Sequence, residues 1–315
     1  METITYKQIR ELFLTRRPRD AHKGDFGHVL VVAGSKGMAG AAVLCARGAL
    51  RAGAGLVTVS APDELFAIIQ TAVPEAMCIG RSLETDLSES ALRRYDAVAL
   101  GPGIGTTAKS YELVSWLLQK YTGQFVIDAD ALNIVAVASR SDKQWFAGFP
   151  TVPPQSIVTP HPGEAARLLG VSSETVIGNR AGALAALKAQ LGCVVCLKGA
   201  GTLVSMPVTL SAEFKFDSAP QNPDPEGPKA TDGYINTTGN PGMATGGAGD
   251  VLTGVIASLL AQGMPLETAA RAGVYIHGLA GDLAASERGE HGLTAGDIAE
   301  YVAYAIKKLV NESIL

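Results

Sequence analysis

Short runs of β-branched and apolar residues that close on glycine alternate along most of the chain with longer stretches of helical spacing. HVLVVAG (28–34) is the first such run. It leads into the alanine-rich GAAVLCARGALRAG (40–53) and then into LVTVSA (56–61), a β-α-β opening in which the hydrophobic period changes from two to about 3.6 and back. Further strands are predicted at DAVALG (96–101), FVIDAD (125–130), SIVTP (156–160), CVVCLKG (193–199) and TLVSM (202–206), with helical patterns between most of them. Runs so continuously apolar suit strands covered on both sides. The predicted fold class is therefore α/β, a doubly wound, mainly parallel sheet with helices on both faces.

Near the C-terminus, DVLTGVIASLLAQG (250–263) puts Val251, Leu252, Val255, Ile256, Leu259 and Leu260 on one face at helical spacing, and Gly263 and Pro265 supply the stop. Helical patterns follow near 266–285 and 294–312. The proline-rich, polar stretch from Ser205 to Asp232 is expected to be a surface excursion rather than a domain boundary. At 315 residues the chain is within reach of one large α/β unit. A single domain is expected over 22–315, preceded by an N-terminal extension over 1–21.

Composition narrows the function. Hydrophobic residues make up 47% and charged residues 18%, a balance that supplies a core and argues against general disorder. Thirty acidic and twenty-six basic residues, with no long basic block, give no electrostatic footprint for nucleic acid. The first residues contain no apolar h-region, and no uninterrupted apolar run is long enough for a bilayer, so a cytoplasmic, non-membrane protein is expected. Of four cysteines, Cys45, Cys78, Cys193 and Cys196, only the last two are close in sequence. On a strand, side chains three apart face opposite sides, so this pair reads as buried thiols rather than a metal site.

Three glycine motifs, GSKGMAG (34–40), GPGIG (101–105) and KGAGT (198–202), each follow a predicted strand, and the carboxyl ends of strands line the ligand crevice in open α/β sheets. GSKGMAG has neither the Lys-Ser/Thr ending of a P-loop nor the G-x-G-x-x-G spacing. It reads alone as a tight turn. KGAGT is a hairpin turn, or a place where Lys198 and turn amides meet a nucleotide phosphate. VIDADALN sets Asp128 and Asp130 at a strand end with Asn133 beyond, either to hold a metal–phosphate complex or to cap a helix. TPHPGEAARLLG holds His161 between two prolines, with Glu164 opening a helix.

NPGMATGGAGD (240–250) joins flexible glycines, a helix N-terminus and an acid. Asp250 there could be a simple cap. In the functional reading, the amides of Gly247, Ala248 and Gly249 bind phosphoryl oxygens while Asp250 takes a proton from an attacking hydroxyl. The helix N-terminus is expected to keep that carboxylate ionised and to limit its basicity. A metal bridging the donor phosphates would ease their repulsion from Asp250.

HKGDFGHVLVVAGSKGMAGAAVLCARGALRAGAGLVTV, GPGIG, VIDADALN, TPHPGE, LKGAGT and NTTGNPGMATGGAGDVLTG occur in that order. From about His22 to the C-terminal helices the chain resembles the ADP-dependent (S)-NAD(P)H-hydrate dehydratases of the ribokinase-like superfamily. The resemblance implies repair of hydrated NADH and NADPH, S epimer, back to the normal cofactors, with ADP as co-substrate giving AMP and phosphate, and with Mg2+. It implies that Asp250 is the base and also lies near the substrate. Ala41 or Ala42, Gly105 and His161 would surround the hydrated dinucleotide. Lys198, Gly199, Ala200, Gly201, Thr202 and Gly249 would contact the nucleotide, with Asp128, Asn133 and Glu164 as the metal–phosphate neighbourhood. A homotetramer is implied as well. So is a separate NAD(P)H-hydrate epimerase, because only about twenty residues precede the resembling region. One departure is Ala248, where superfamily kinases often carry Thr or Ser. Two other readings compete: a small-molecule kinase of the same fold using ATP, and a noncatalytic adenine-nucleotide sensor.

Overall fold

The computed structural model describes residues 1–13, 17–140, 148–206 and 233–311. Val29–Val32 and Ala97–Leu100 have no accessible surface, which requires strands covered on both faces. The strands are β1 Glu2–Thr3, β2 His28–Val32, β3 Leu56–Ser60, β4 Met77–Ile79, β5 Ala97–Leu100, β6 Gln124–Ile127, β7 Ser156–Val158, β8 Val194–Leu197, β9 Leu203–Ser205 and β10 Gly233–Ile235. They form one sheet in the order β1-β10-β9-β8-β7-β6-β5-β2-β3-β4. From β4 across to β8 every pairing is parallel; β8–β9 and β9–β10 are antiparallel, and β1 pairs parallel with β10.

The helices are α1 Tyr6–Glu11, α2 Ala39–Arg51, α3 Phe66–Ala72, α4 Glu89–Leu92, α5 Ala108–Lys120, α6 Ala129–Ala138, α7 Pro162–Leu169, α8 Ser173–Gly178, α9 Arg180–Leu191, α10 Ala248–Ala261, α11 Leu266–Arg288 and α12 Ala295–Asn311. They sort by position in the chain. On one face of the sheet, Val29 and Val31 pack with the buried residues of α1–α3 and α10–α12; on the other, Leu30 and Val32 pack with those of α4–α9. This split follows the period of two along β2.

The chain runs outward from β2 to β4 and then returns to the opposite side of β2 for β5. The switch point between β2 and β5 is where a ligand crevice opens in such sheets. There the Gly34 N–H donates to the Pro102 carbonyl at 2.8 Å, tying the two glycine loops together.

Several predicted elements change in detail. The strand predicted through Asp130 stops at Ile127, because Ala129 adopts φ +52°, a left-handed conformation alanine rarely takes, and α6 starts there. Three short strands, β1, β4 and β10, carry too few residues for a period to show. Helix α10 is buried on nearly every side, Thr253, Gly254, Ala257 and Ser258 included, so it has no polar face. A Cβ at Gly254 would strike the Cys45 carbonyl of α2, so the two helices cross at backbone contact. Residues 1–11 join the same body: Ile4 and Ile9 are core residues, and the Tyr6 hydroxyl donates to the Lys308 carbonyl. The expected excursion lies, beyond Met206, outside the described residues. Among the described residues no helix is long and apolar enough to cross a membrane.

Candidate active site

The carboxyl ends of β6, β7 and β8 and the head of α10 bring four charged side chains together. Asp128 occupies the cap position of α6 but makes no capping bond. Its Oδ1 accepts from Lys198 Nζ at 2.7 Å and its Oδ2 from Thr253 Oγ1 at 2.8 Å. With Asp128 only 1% exposed, burial of the charge demands such partners, and the capping alternative falls. Lys198 also stands 3.8 Å from Glu164 Oε2. Its backbone N–H donates to the Pro160 carbonyl, fixing the end of β8 against the end of β7. Burial alone would lower the Lys198 pKa, but Asp128 and Glu164 outweigh it and the ammonium is held charged.

Glu164 closes a capping box at α7: its Oε2 accepts the His161 N–H at 2.8 Å, while His161 Nδ1 accepts the Gly163 N–H at 3.0 Å. The proton of the neutral imidazole therefore sits on Nε2, 3.3 Å from Glu164 Oε1. Burial, with Lys198 and Arg167 nearby, lowers the His161 pKa and keeps the ring neutral. Burial pushes the Glu164 carboxyl up, against the pull of Lys198.

The head of α10 completes the group. Gly247 has φ +91°, and a Cβ on Gly249 would lie 3.2 Å from Lys198 Nζ and 3.6 Å from Asp128 Oδ2, so glycine lets the backbone itself reach the ion pair. Of the three amides expected to bind a phosphoryl group, those of Gly247 and Gly249 meet no protein acceptor among the described residues, and the Asp250 N–H joins them. The Ala248 N–H instead donates to the Thr245 carbonyl at 3.4 Å.

Asp250 departs from expectation. Its pKa is raised to about 7, first by burial and then by Asp128, with Asp130 and Glu164 adding to the repulsion that Lys198 opposes. Desolvation and three carboxylates outweigh the helix end, so Asp250 is more basic than its position in the sequence implies.

The remaining predicted residues separate. The Gly105 N–H donates to Asp130 Oδ2 at 2.8 Å, and nothing stands within 4 Å of where its Cβ would be, so this position opens on the crevice. Ala42 is fully buried; Ala41 is half-buried, with its methyl against Gly103, and of the two it is Ala41 that faces the GPGIG loop. Asn133 Oδ1 accepts from Arg167 Nε at 2.8 Å, so it is bound to α7. KGAGT is the hairpin turn between antiparallel β8 and β9, with Lys198 at its start. Ala200, Gly201 and Thr202 follow in that turn, and the Thr202 hydroxyl donates to the Gly199 carbonyl.

Thr253 and His277 were not singled out from the sequence. Thr253 lies three residues beyond Asp250, on the same helix face, and that spacing was a usable signal. His277 on α11 has its pKa lowered to about 4 by burial; as a neutral ring it donates from Nε2 to the Ala248 carbonyl at 2.9 Å. No local pattern announces that contact. Cys45, Cys193 and Cys196 are free and buried, and burial pushes the Cys193 thiol up to about 12. They are core thiols.

Among the described residues no group of three or more His, Cys, Asp or Glu is placed to hold a metal ion. Both Asp128 oxygens are also already engaged. Such donors fit a divalent ion carried on phosphates and water rather than one in a protein cage.

A family model described as NAD(P)H-hydrate dehydratase matches residues 29–215 and 228–303. The bifunctional NAD(P)H-hydrate repair enzyme Nnr of Coxiella burnetii is 40% identical over 285 residues, 90% of this chain and 51% of that protein. The chain thus spans about half the length of that relative. The ADP-dependent (S)-NAD(P)H-hydrate dehydratase of Neisseria meningitidis is 38% identical over 289 residues, 90% of this chain and 86% of its own length. Among solved structures, the ADP/ATP-dependent NAD(P)H-hydrate dehydratase of Bacillus subtilis, co-crystallised with ATP and Mg2+, matches with TM-score 0.77 and 28% identity, over 98% of each chain. A family match over most of the length, a relative covered over 86% of its own length and a shared fold lead to one conclusion: this chain belongs to the NAD(P)H-hydrate dehydratase family.

Proposed function

We propose that this chain dehydrates the S epimer of hydrated NADH or NADPH to the normal cofactor, consuming ADP and releasing AMP and phosphate. The names of its relatives support the substrate and the co-substrate. What carries the reading chemically is Asp250, a carboxylate with pKa about 7 beside unpaired amides and Lys198.

Water is lost poorly from an unactivated alcohol, because hydroxide is a poor leaving group; phosphate is a better one. The substrate hydroxyl gives its proton to Asp250 as its oxygen bonds to the terminal phosphorus of ADP. The phosphorus–oxygen bond to AMP breaks in the same step. A base with pKa near the working pH is both available and strong enough to help. The amides of Gly247, Gly249 and Asp250 stabilise charge on the phosphoryl oxygens, and Lys198, whose Nζ lies against Gly249, supplies a cation beside them. The carbon–oxygen bond to phosphate then breaks with its electron pair, a neighbouring ring C–H gives its proton to water, and the electron pair of that C–H bond forms the double bond.

Bound Mg2+ would offset the negative charge of the nucleotide phosphates. Asp128 and Glu164, already bonded to Lys198 and within the α7 cap, would meet it through water. Ala41, Gly105 and His161 form the dinucleotide side of the crevice in this proposal, and Lys198 to Thr202 the nucleotide side. Asn133 acts there through Arg167. An epimerase activity that interconverts the R and S forms completes the proposal.

Purified protein mixed with magnesium, ADP and hydrated NADH should restore the reduced-nicotinamide absorbance, with one AMP and one phosphate formed per cofactor recovered. No recovery with authentic hydrate overturns the reading. A stable phosphorylated product made from ATP would identify the kinase alternative instead.

A further inference from the structure

We infer that Arg180 is a positioning residue for nucleotide binding: it draws the carbonyls of the Lys198–Thr202 turn inward, so that the turn presents its amides to the phosphate of a nucleoside diphosphate. This deepens the nucleotide role proposed for that turn and rests on it.

Arg180 is the first residue of α9, and its guanidinium lies behind the turn. Nη1 donates to the Ala200 carbonyl at 2.6 Å, and Nη2 donates to the carbonyls of Leu197 at 3.2 Å and Gly201 at 3.0 Å. The Thr202 hydroxyl takes the remaining carbonyl, that of Gly199, at 3.2 Å. Every carbonyl from Gly199 to Gly201 thus has a donor inside the protein. In a trans peptide the N–H points opposite to the C=O. Arg180, by binding the carbonyls of Ala200 and Gly201, turns the N–H groups of Gly201 and Thr202 away from itself, and the Thr202 hydroxyl on the Gly199 carbonyl turns the Ala200 N–H away from that hydroxyl. None of these amides meets a protein acceptor among the described residues.

This one-sided accounting is unusual for a hairpin turn, where a carbonyl and an amide across the turn ordinarily satisfy each other. Here the Thr202 hydroxyl takes the Gly199 carbonyl in place of the crossing amide, and the Arg180 guanidinium takes the carbonyls of Ala200 and Gly201. Successive outward amides form an anion-binding concavity, and the turn begins at Lys198, whose ammonium adds to the field. Gly199 at φ +144° and Gly201 at φ +64° allow the backbone to take this course. A Cβ at Gly199 would come within 3.2 Å of Arg180 Nη2, so the guanidinium sits close against the chain it supports. Arg180 Nε is buried without a partner, a cost consistent with a side chain placed for the turn rather than for its own solvation. Among the described residues every hydrogen bond of the guanidinium goes to a carbonyl, so its role is to act through the turn.

The test uses the full chain with AMP and ADP as probes. R180A should weaken AMP binding by at least tenfold in calorimetry and raise the KM for ADP by a similar factor. The KM for hydrated NADH should stay within twofold and kcat within threefold. R180K retains the charge but cannot span three carbonyls, and it should fall between R180A and the native chain. AMP affinity within twofold of native in folded R180A overturns the inference, as does an equal rise in both KM values. If R180A does not fold, hydrogen exchange in the native chain decides. Slower exchange at Ala200, Gly201 and Thr202 with AMP supports the inference, and unchanged exchange refutes it. Calorimetry with AMP tests Arg180 even if no dehydration is found, so failure here is distinguishable from failure of the proposed reaction.

Discussion

Replacing Asp250 by Asn should abolish turnover and make the protein more stable. The Asp250 carboxyl has its pKa raised from an ordinary 3.8 to about 7 by burial and by Asp128, Asp130 and Glu164. Between about pH 4 and pH 7 the folded chain keeps a proton that the unfolded chain releases. Stability contributed by the protonated form is therefore complete below pH 4, falls as pH rises, and is lost above about 7. At about 1.4 kcal/mol for each tenfold in proton affinity, the Asp250 carboxyl costs on the order of 4 kcal/mol at pH 8.5, where it is buried ionised, and about 1.5 kcal/mol at pH 5, where folding must take up a proton. Asn keeps the shape and never ionises. The D250N protein should therefore gain about those amounts over the native chain, with Tm at pH 8.5 higher by roughly 5–10 °C. Urea unfolding at a series of pH values from 5 to 8.5 measures the gain, and the nicotinamide absorbance assay should show a loss of about 10²-fold or more. An equal gain at pH 5 and pH 8.5, or no gain at pH 8.5, would refute the electrostatic account of this site.

The same carboxyl predicts that kcat/KM falls about tenfold per pH unit below about 7 as the base becomes protonated; a flat profile from pH 7.5 to 5.5 would contradict it. K198M strands Asp128, which is 1% exposed, and should cost about 3–5 kcal/mol in urea unfolding. The double variant D128N/K198M should regain most of that, and a double variant as unstable as K198M would show that the pair is not what Lys198 contributes. G254A places a methyl group on the Cys45 carbonyl and should cost about 1–3 kcal/mol by forcing α2 from α10. An unchanged Tm for G254A would mean that the two helices can separate there freely.

Local chemistry was enough for the α/β class. Four successive buried residues in β2 and in β5 read as strands because covered strands need no polar positions. Ordered glycine motifs after those strands marked the crevice for the same reason, since a backbone that must approach a ligand excludes side chains. The pattern in α10 was legible only in part. Its apolar positions fell where predicted, but Thr253 and Ser258 are also buried, because Asp128 takes the Thr253 hydroxyl and α2 crosses at Gly254.

The roles within the site depended on partners distant in sequence. Asp128 and its neighbours support both a cap and an ion pair; Lys198, seventy residues away, decides between them by lying at 2.7 Å. The helix end beside Asp250 argues for a low pKa, and the carboxylates gathered from β6, α6 and α7 reverse it. Arg180 acts on carbonyls of a turn and His277 on a carbonyl at the head of α10, each distant from it in the chain, and a carbonyl has no sequence signature. Backbone periodicity is a property of adjacent residues and can be read along the chain. Charge balance and hydrogen-bond pairing are properties of neighbours in space, and they exist only after the sheet has brought its strand ends together.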